Sequence, residues 1–137
     1  MEGESSEPCY NDTPGRVTIC CLKKLISEKN IQLFDVRSRE EIMQSGEIPM
    51  AVNIPLSDIA SAFSLTPEKF EQTYRVPMPK KTDNNIVIHC RSGRRAERAM
   101  EILREHGFTG THNFTGGWTE WQEAMKKSAE MALSTVS

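Results

Sequence analysis

Ile86-Val87-Ile88-His89-Cys90-Arg91-Ser92-Gly93-Arg94-Arg95-Ala96 decides how the chain is read. An apolar run stops at a cysteine, a basic loop with one glycine follows, and helical spacing then begins. Ile86, Val87 and Ile88 do not alternate with polar residues, which predicts a strand buried on both faces, as in a parallel sheet. From Arg94 onward Ala96, Ala99, Met100 and Leu103 recur at helical spacing, and Gly107 supplies the stop. Cys90 is therefore expected at the carboxyl end of a strand, facing the amino end of a helix. Unpaired backbone N–H groups and the positive end of the helix dipole converge there. Arg91, Arg94 and Arg95 add three cations within five positions, and such surroundings favour the thiolate. Most free cysteines are small buried hydrophobes, but a thiol that only packs does not need three arginines beside it.

Working outward, 137 residues suit one domain with a core that forms without disulfide support. The formal charge of −2 is unevenly placed. Glu2, Glu4, Glu7 and Asp12 stand in residues 1–15 without a Lys or Arg, leaving 17 basic against 15 acidic groups in the remainder. That balance does not suggest nucleic-acid binding. No apolar run approaches membrane-spanning length, and no targeting segment is recognised at the start. Cys9, Cys20, Cys21 and Cys90 show no C-x-x-C spacing, and His89, His106 and His112 no regular ligand spacing, so no metal and no cofactor is expected. The cysteine usage suggests a reducing compartment, with a cytoplasmic location expected and a mitochondrial one left open.

Residues 1–15 read as a disordered acidic tail, 16–127 as the folded domain and 128–137 as a fraying end. The sequons at Asn11 and Asn113 carry little weight without a secretory signal. Arg16-Val17-Thr18-Ile19 is expected to form a first strand, with Leu22, Leu25 and Ile26 on a helix face after it and Cys20 and Cys21 as packing residues. Ile31–Phe34 is the second strand, ending at Asp35-Val36-Arg37. An Asp at that edge of an open α/β sheet lies where such sheets bind ligands. It is open whether Asp35 accepts from the cysteine loop, pairs with one of its arginines, or caps the next helix. Ser38 is the better cap, since Ser38 and Glu41 form a near capping box. Gly46 through Pro55 reads as a turn and a short third strand bracketed by prolines, followed by helical pieces at Leu56–Phe63 and Pro67–Tyr74, the latter starting from a Thr66 cap. Thr111–Phe114 is the fifth strand, and Gly116-Gly117-Trp118 turns into a last helix. Alternating strands and helices predict an α/β fold with five parallel strands covered on both faces.

Two enzyme classes centre a loop of this kind on cysteine, and loop length separates them. Cysteine phosphatases and arsenate reductases with the pattern His-Cys-x5-Arg need an Arg at 96, and residue 96 is Ala. The loop from Cys90 through Arg95 instead resembles that of the rhodanese family, the sulfurtransferases. Asp35-Val36-Arg37 with Glu40-Glu41 resembles the family's D-x-R…E stretch. Gly46-Glu47-Ile48-Pro49 with Asn53-Ile54-Pro55 resembles its G-H-I-P-G-A…N-I-P stretch, and Gly116-Gly117-Trp118 with Trp121 its closing G-G-x-x-x-W. Glu47 stands where the family usually has His and Met50 where it usually has Gly. One extra residue also separates Asp35 from Gly46, so altered packing is expected there.

The resemblance implies the three-layer rhodanese-like fold and sulfur transfer from thiosulfate to a thiol such as glutathione, or to cyanide, through a Cys90 persulfide. A persulfide relay to a protein partner has the same chemistry at Cys90 and remains the alternative; a module that only recruits partners would have lost the cysteine. The implied anion cradle is Arg91, Ser92, Gly93, Arg94 and Arg95, with Asp35 and Arg37 in support and the protein acting as a monomer. Arg91 and Arg94 are the residues expected to steer the donor, while Arg95 is read as turning inward to Asp35. For Ser92 two readings stand, a hydrogen-bond donor and a helix cap. His89 is read as structural, because neighbouring side chains on a strand point to opposite faces. Trp118 and Trp121 are read as packing residues, Trp118 also as a rim of the pocket.

Overall fold

The computed structural model describes residues 15–136, with side chains described through Ala132. The expected acidic tail, Gly15 excepted, lies outside the described residues together with Cys9 and Asn11. The elements are α1 (Ile19–Ser27), β1 (Gln32–Asp35), α2 (Arg39–Ser45), β2 (Val52–Asn53), α3 (Leu56–Ala62), α4 (Pro67–Tyr74), β3 (Ile86–His89), α5 (Arg94–Glu105), β4 (Thr111–Asn113) and α6 (Gly117–Val136). The strands pair in the order β2-β1-β3-β4, and every pairing is parallel.

Among the described residues four strands are present, not the five expected. Arg16 keeps a single parallel bridge to Asn113, with Val17 N–H donating to the Asn113 carbonyl at 2.9 Å. Thr18 ends the strand there. Its Oγ1 accepts from Cys21 N–H at 3.2 Å and caps α1, so the chain turns helical at the residue where the apolar pattern suggested more strand.

The pleat sorts side chains between two cores. Phe34, Ile86 and Ile88 face one side, packed with Ile59 and Ala62 of α3, Phe70 of α4 and Ala99 and Leu103 of α5. Leu33 and Val87 face the other, with Leu22 and Leu25 of α1 and Trp121 of α6. Cys21 also lies in that second core and is disulfide-bonded, which goes beyond the packing role expected of it. Cys20 is exposed and so does not pack at all.

Two helix starts follow the sequence closely. Ser38 and Glu41 complete the capping box of α2, and Thr66 caps α4 ahead of Pro67. The last helix differs. It runs to Val136 through the stretch expected to fray. Lys126, Lys127, Ala129, Glu130 and Met131 are good helix formers but exposed, so they sustain a helix without the buried stripe that periodicity detects. Among the described residues no helix is long and apolar enough to cross a membrane.

Candidate active site

Cys90 follows directly on β3 and is 1% exposed. Its parity is that of Ile86 and Ile88, so the thiol points to the α5 side of the sheet. There Gly93 N–H lies 3.0 Å from Sγ and donates to it, with Ala96 N–H at 3.4 Å. These amides belong to the loop and the first turn of α5, the groups a helix start leaves without an internal acceptor. Gly93 has φ +99°, and a Cβ on it would stand 2.8 Å from the Thr115 carbonyl oxygen, so the loop can close only around glycine. The other wall comes from the turn into α6. Trp118 N–H donates to the Cys90 carbonyl at 2.8 Å and Thr119 N–H to that of Arg91 at 3.2 Å. A Cβ on Gly117 would stand 2.5 Å from both carbonyl oxygens.

The loop arginines separate into two kinds. Arg91 and Arg94 are exposed, as is Ser92. Arg95 does not reach Asp35 as expected. It forms a two-point pair with Glu41 of α2, with Nη1 to Oε1 at 2.7 Å and Nη2 to Oε2 at 2.9 Å. The Arg95 hydrogen bond holds the Glu41 carboxyl well below its ordinary range, at about 2. Of the two readings of Ser92, the cap falls away: Gly93 is the N-cap of α5, and no side chain caps that helix.

Asp35 is taken by Arg37, not by the cysteine loop. Both are essentially buried, and Arg37 Nη2 reaches Asp35 Oδ2 at 2.7 Å while Nε spans both carboxylate oxygens at 3.0 and 3.1 Å. Asp35 Oδ1 also accepts from the Arg37 backbone N–H. The guanidinium then donates to Ser45 Oγ at 2.9 Å and the Gly46 carbonyl at 2.8 Å, and it lies 4.9 Å over the Trp118 ring. With four of its five N–H groups engaged in this way, Arg37 braces α2 and Trp118 beside the loop.

His89 is fully buried on the face opposite Cys90, with its ring 6.5 Å from that of Phe114. Burial pushes its imidazole below the ordinary value, against the pull of the Asp35 carboxylate. Nδ1 sits 3.3 Å from the Cys90 carbonyl and Nε2 3.4 Å from Asp35 Oδ2, so both ring nitrogens face acceptors and neither faces the thiol. The ring cannot serve as a base for the thiol.

One residue was missed. Asn113, at the end of β4, is 1% exposed, and its Nδ2 donates to the Gly93 carbonyl and to Glu97 Oε1, both at 3.2 Å. It holds the far side of the glycine whose N–H meets the thiol. The only signal in the sequence is a carboxamide inside a short buried strand, where a polar group needs a partner. Among the described residues no cluster of His, Cys, Asp and Glu could hold a metal ion.

The chain matches a family model described as a rhodanese-like domain over residues 19–124. It is 40% identical over 102 residues to the Homo sapiens thiosulfate:glutathione sulfurtransferase, covering 74% of this chain and 88% of that protein. It is 38% identical over 112 residues to the Mus musculus thiosulfate sulfurtransferase/rhodanese-like domain-containing protein 3, covering 82% and 71%. Among solved structures, the human single-domain sulfurtransferase TSTD1 superposes with a TM-score of 0.75 at 38% identity, over 80% of this chain and 96% of that one. A match of this extent, joined to a cysteine that ends a parallel strand against helix-start amides, makes the chain a member of the rhodanese-like domain family.

Proposed function

We propose that the protein is a thiosulfate sulfurtransferase that carries sulfur on Cys90, within the domain spanning 16–127. The observation that carries this reading is the pair of amides, Gly93 N–H and Ala96 N–H, aimed at Sγ. Fixed donors of this kind stabilise negative charge without reorganising. Cys90 Sγ, as thiolate, attacks the outer sulfur of thiosulfate; the sulfur–sulfur bond of the donor breaks and sulfite leaves. The outer sulfur of the resulting persulfide is held by further loop amides between Arg91 and Arg95. Arg91 and Arg94 attract the dianion through solvent. An acceptor thiol then takes the sulfur and releases Cys90, giving two covalent half-reactions. The human relative named for glutathione supports a small thiol as acceptor, and cyanide serves as a second one. The protein works as a monomer in this reading.

Loop length disfavours phosphoryl transfer, since Ala96 sits where a phosphate-clamping arginine would be required and donates only its N–H. Initial rates against thiosulfate, with glutathione or cyanide as acceptor, test the proposal. Parallel double-reciprocal lines and complete loss in Cys90→Ala are expected. Cys90-dependent hydrolysis of an aryl phosphate, with no sulfite released from thiosulfate, would overturn it.

A further inference from the structure

His89 ends β3, is fully buried, and takes no part in the chemistry assigned to Cys90. A buried imidazole needs a partner at each nitrogen. Nε2 lies 3.4 Å from Asp35 Oδ2 without forming a hydrogen bond, and that oxygen already accepts from Arg37 Nη2 at 2.7 Å and Nε at 3.1 Å. Nδ1 alone has hydrogen-bond geometry, toward the Cys90 carbonyl. Burial pushes the imidazole below its ordinary value, so the ring is neutral at physiological pH and has one proton to place between two oxygens. The charged groups that face it are Asp35 and Arg37, and these neutralise each other. The ring of Phe114 closes another side.

Resting on the sulfurtransferase reading, we infer that His89 is a positioning residue for the sulfur cradle: its Nδ1–H donates to the Cys90 carbonyl and so aims the Arg91 amide at the sulfur. The direction follows from the peptide plane. The bond between Cys90 and Arg91 is planar and trans, so the Arg91 N–H points away from the Cys90 carbonyl. That carbonyl is anchored twice, by Trp118 N–H at 2.8 Å and by the His89 ring at 3.3 Å. Trp118 packs on the second core, and the His89 ring stands on the same side of the sheet, whereas Cys90 belongs to the first core. The Arg91 N–H is therefore turned toward the face that carries Sγ. Without the ring, the peptide keeps one anchor and can rock about it. A fixed donor then becomes one that must reorganise as negative charge builds on the sulfur. His89 thus acts through the backbone of its neighbour and touches neither substrate nor thiol.

The test begins with the ring in full-length wild-type protein. Its nitrogen resonances in solution are expected to show the proton on Nδ1; a ring protonated on Nε2 would overturn the proposal. Variants are then compared by sulfite release in a single turnover with thiosulfate. His89→Asn keeps an N–H near the place of Nδ1 and is expected to stay within about threefold of wild type. His89→Gln carries its N–H out to the place of Nε2, and His89→Phe has none. Both are expected to lose about tenfold in rate at saturating thiosulfate, the worth of one hydrogen bond, with the half-saturating concentration unchanged. A wild-type rate in His89→Gln would overturn the proposal, as would a loss in His89→Asn equal to that in His89→Gln. The comparison of Asn with Gln stands even where His89→Phe does not fold, and the ring spectrum needs no variant. Failure of the sulfurtransferase reading would look different: wild-type protein would release no sulfite, while the proton would still be found on Nδ1.

Discussion

Arg95 and Glu41 meet across 54 residues of sequence in a two-point ion pair, joining the last residue of the cysteine loop to the third residue of α2. Glu41 also accepts from Ser38 N–H in the capping box, so one carboxylate both starts a helix and closes the loop. The consequence is electrostatic. Of three loop arginines, only Arg91 and Arg94 face solvent unneutralised.

Glu41→Gln removes the charge of the pair and keeps the shape. Because the carboxyl is held down at about 2, its stabilising effect is complete above the ordinary value of 4.5 and fades as pH falls toward 2. Both side chains are about one-third exposed, so screening limits the pair to about 0.2–1 kcal/mol. Thermal melts of wild type and variant are expected to differ by a constant amount above pH 5 or so and to converge toward pH 2. A gap that widened on acidification would contradict this.

Asp35→Asn leaves the buried Arg37 guanidinium without its countercharge. Removing one partner of such a pair costs about 3–5 kcal/mol, to be read from the urea midpoint. A loss below about 1 kcal/mol would mean that the pair behaves like a surface contact.

Asn113→Asp tests the residue behind the loop. The replacement is isosteric but turns a donor into an acceptor facing the Gly93 carbonyl and Glu97. The expected result is a fall in kcat of about tenfold, equivalent to one hydrogen bond at about 1.4 kcal/mol. Activity relative to wild type should partly recover at acid pH, where the new carboxyl gains a proton and can donate again. A loss independent of pH would point to structural damage alone.

Met50 occupies a left-handed position, φ +72°, on an exposed turn, where the rhodanese pattern usually has glycine. A side chain there costs about 1–2 kcal/mol, against about 0.5–1 kcal/mol for the added freedom of glycine in the unfolded chain. Met50→Gly is therefore expected to raise the melting temperature by a few degrees. A lower melting temperature would refute the strain.

The centre of the molecule was legible because its signals are local. Ile86–Ile88 fixes a doubly buried strand, the next residue with the same parity is Cys90, and that parity also sends His89 to the opposite face. Ser38 and Thr66 announced their helices by capping chemistry. What escaped was of two kinds. Arg16–Ile19 carries a strand-like pattern, yet one Thr18 hydroxyl redirects it into α1. The partners of Arg95 and Asn113 depend on which chain segments the fold brings together: Asp35 was the acid expected for Arg95, and the fold supplies Glu41 instead. Polar pairing over such separations leaves no periodic trace.

The intact mass of the protein after brief exposure to thiosulfate is the most direct measurement of a sulfur-carrying Cys90. Wild type is expected to gain the mass of one sulfur atom, to lose it on addition of cyanide or glutathione, and to show no gain as Cys90→Ala. A wild-type mass that does not change, or an equal gain in Cys90→Ala, would contradict it.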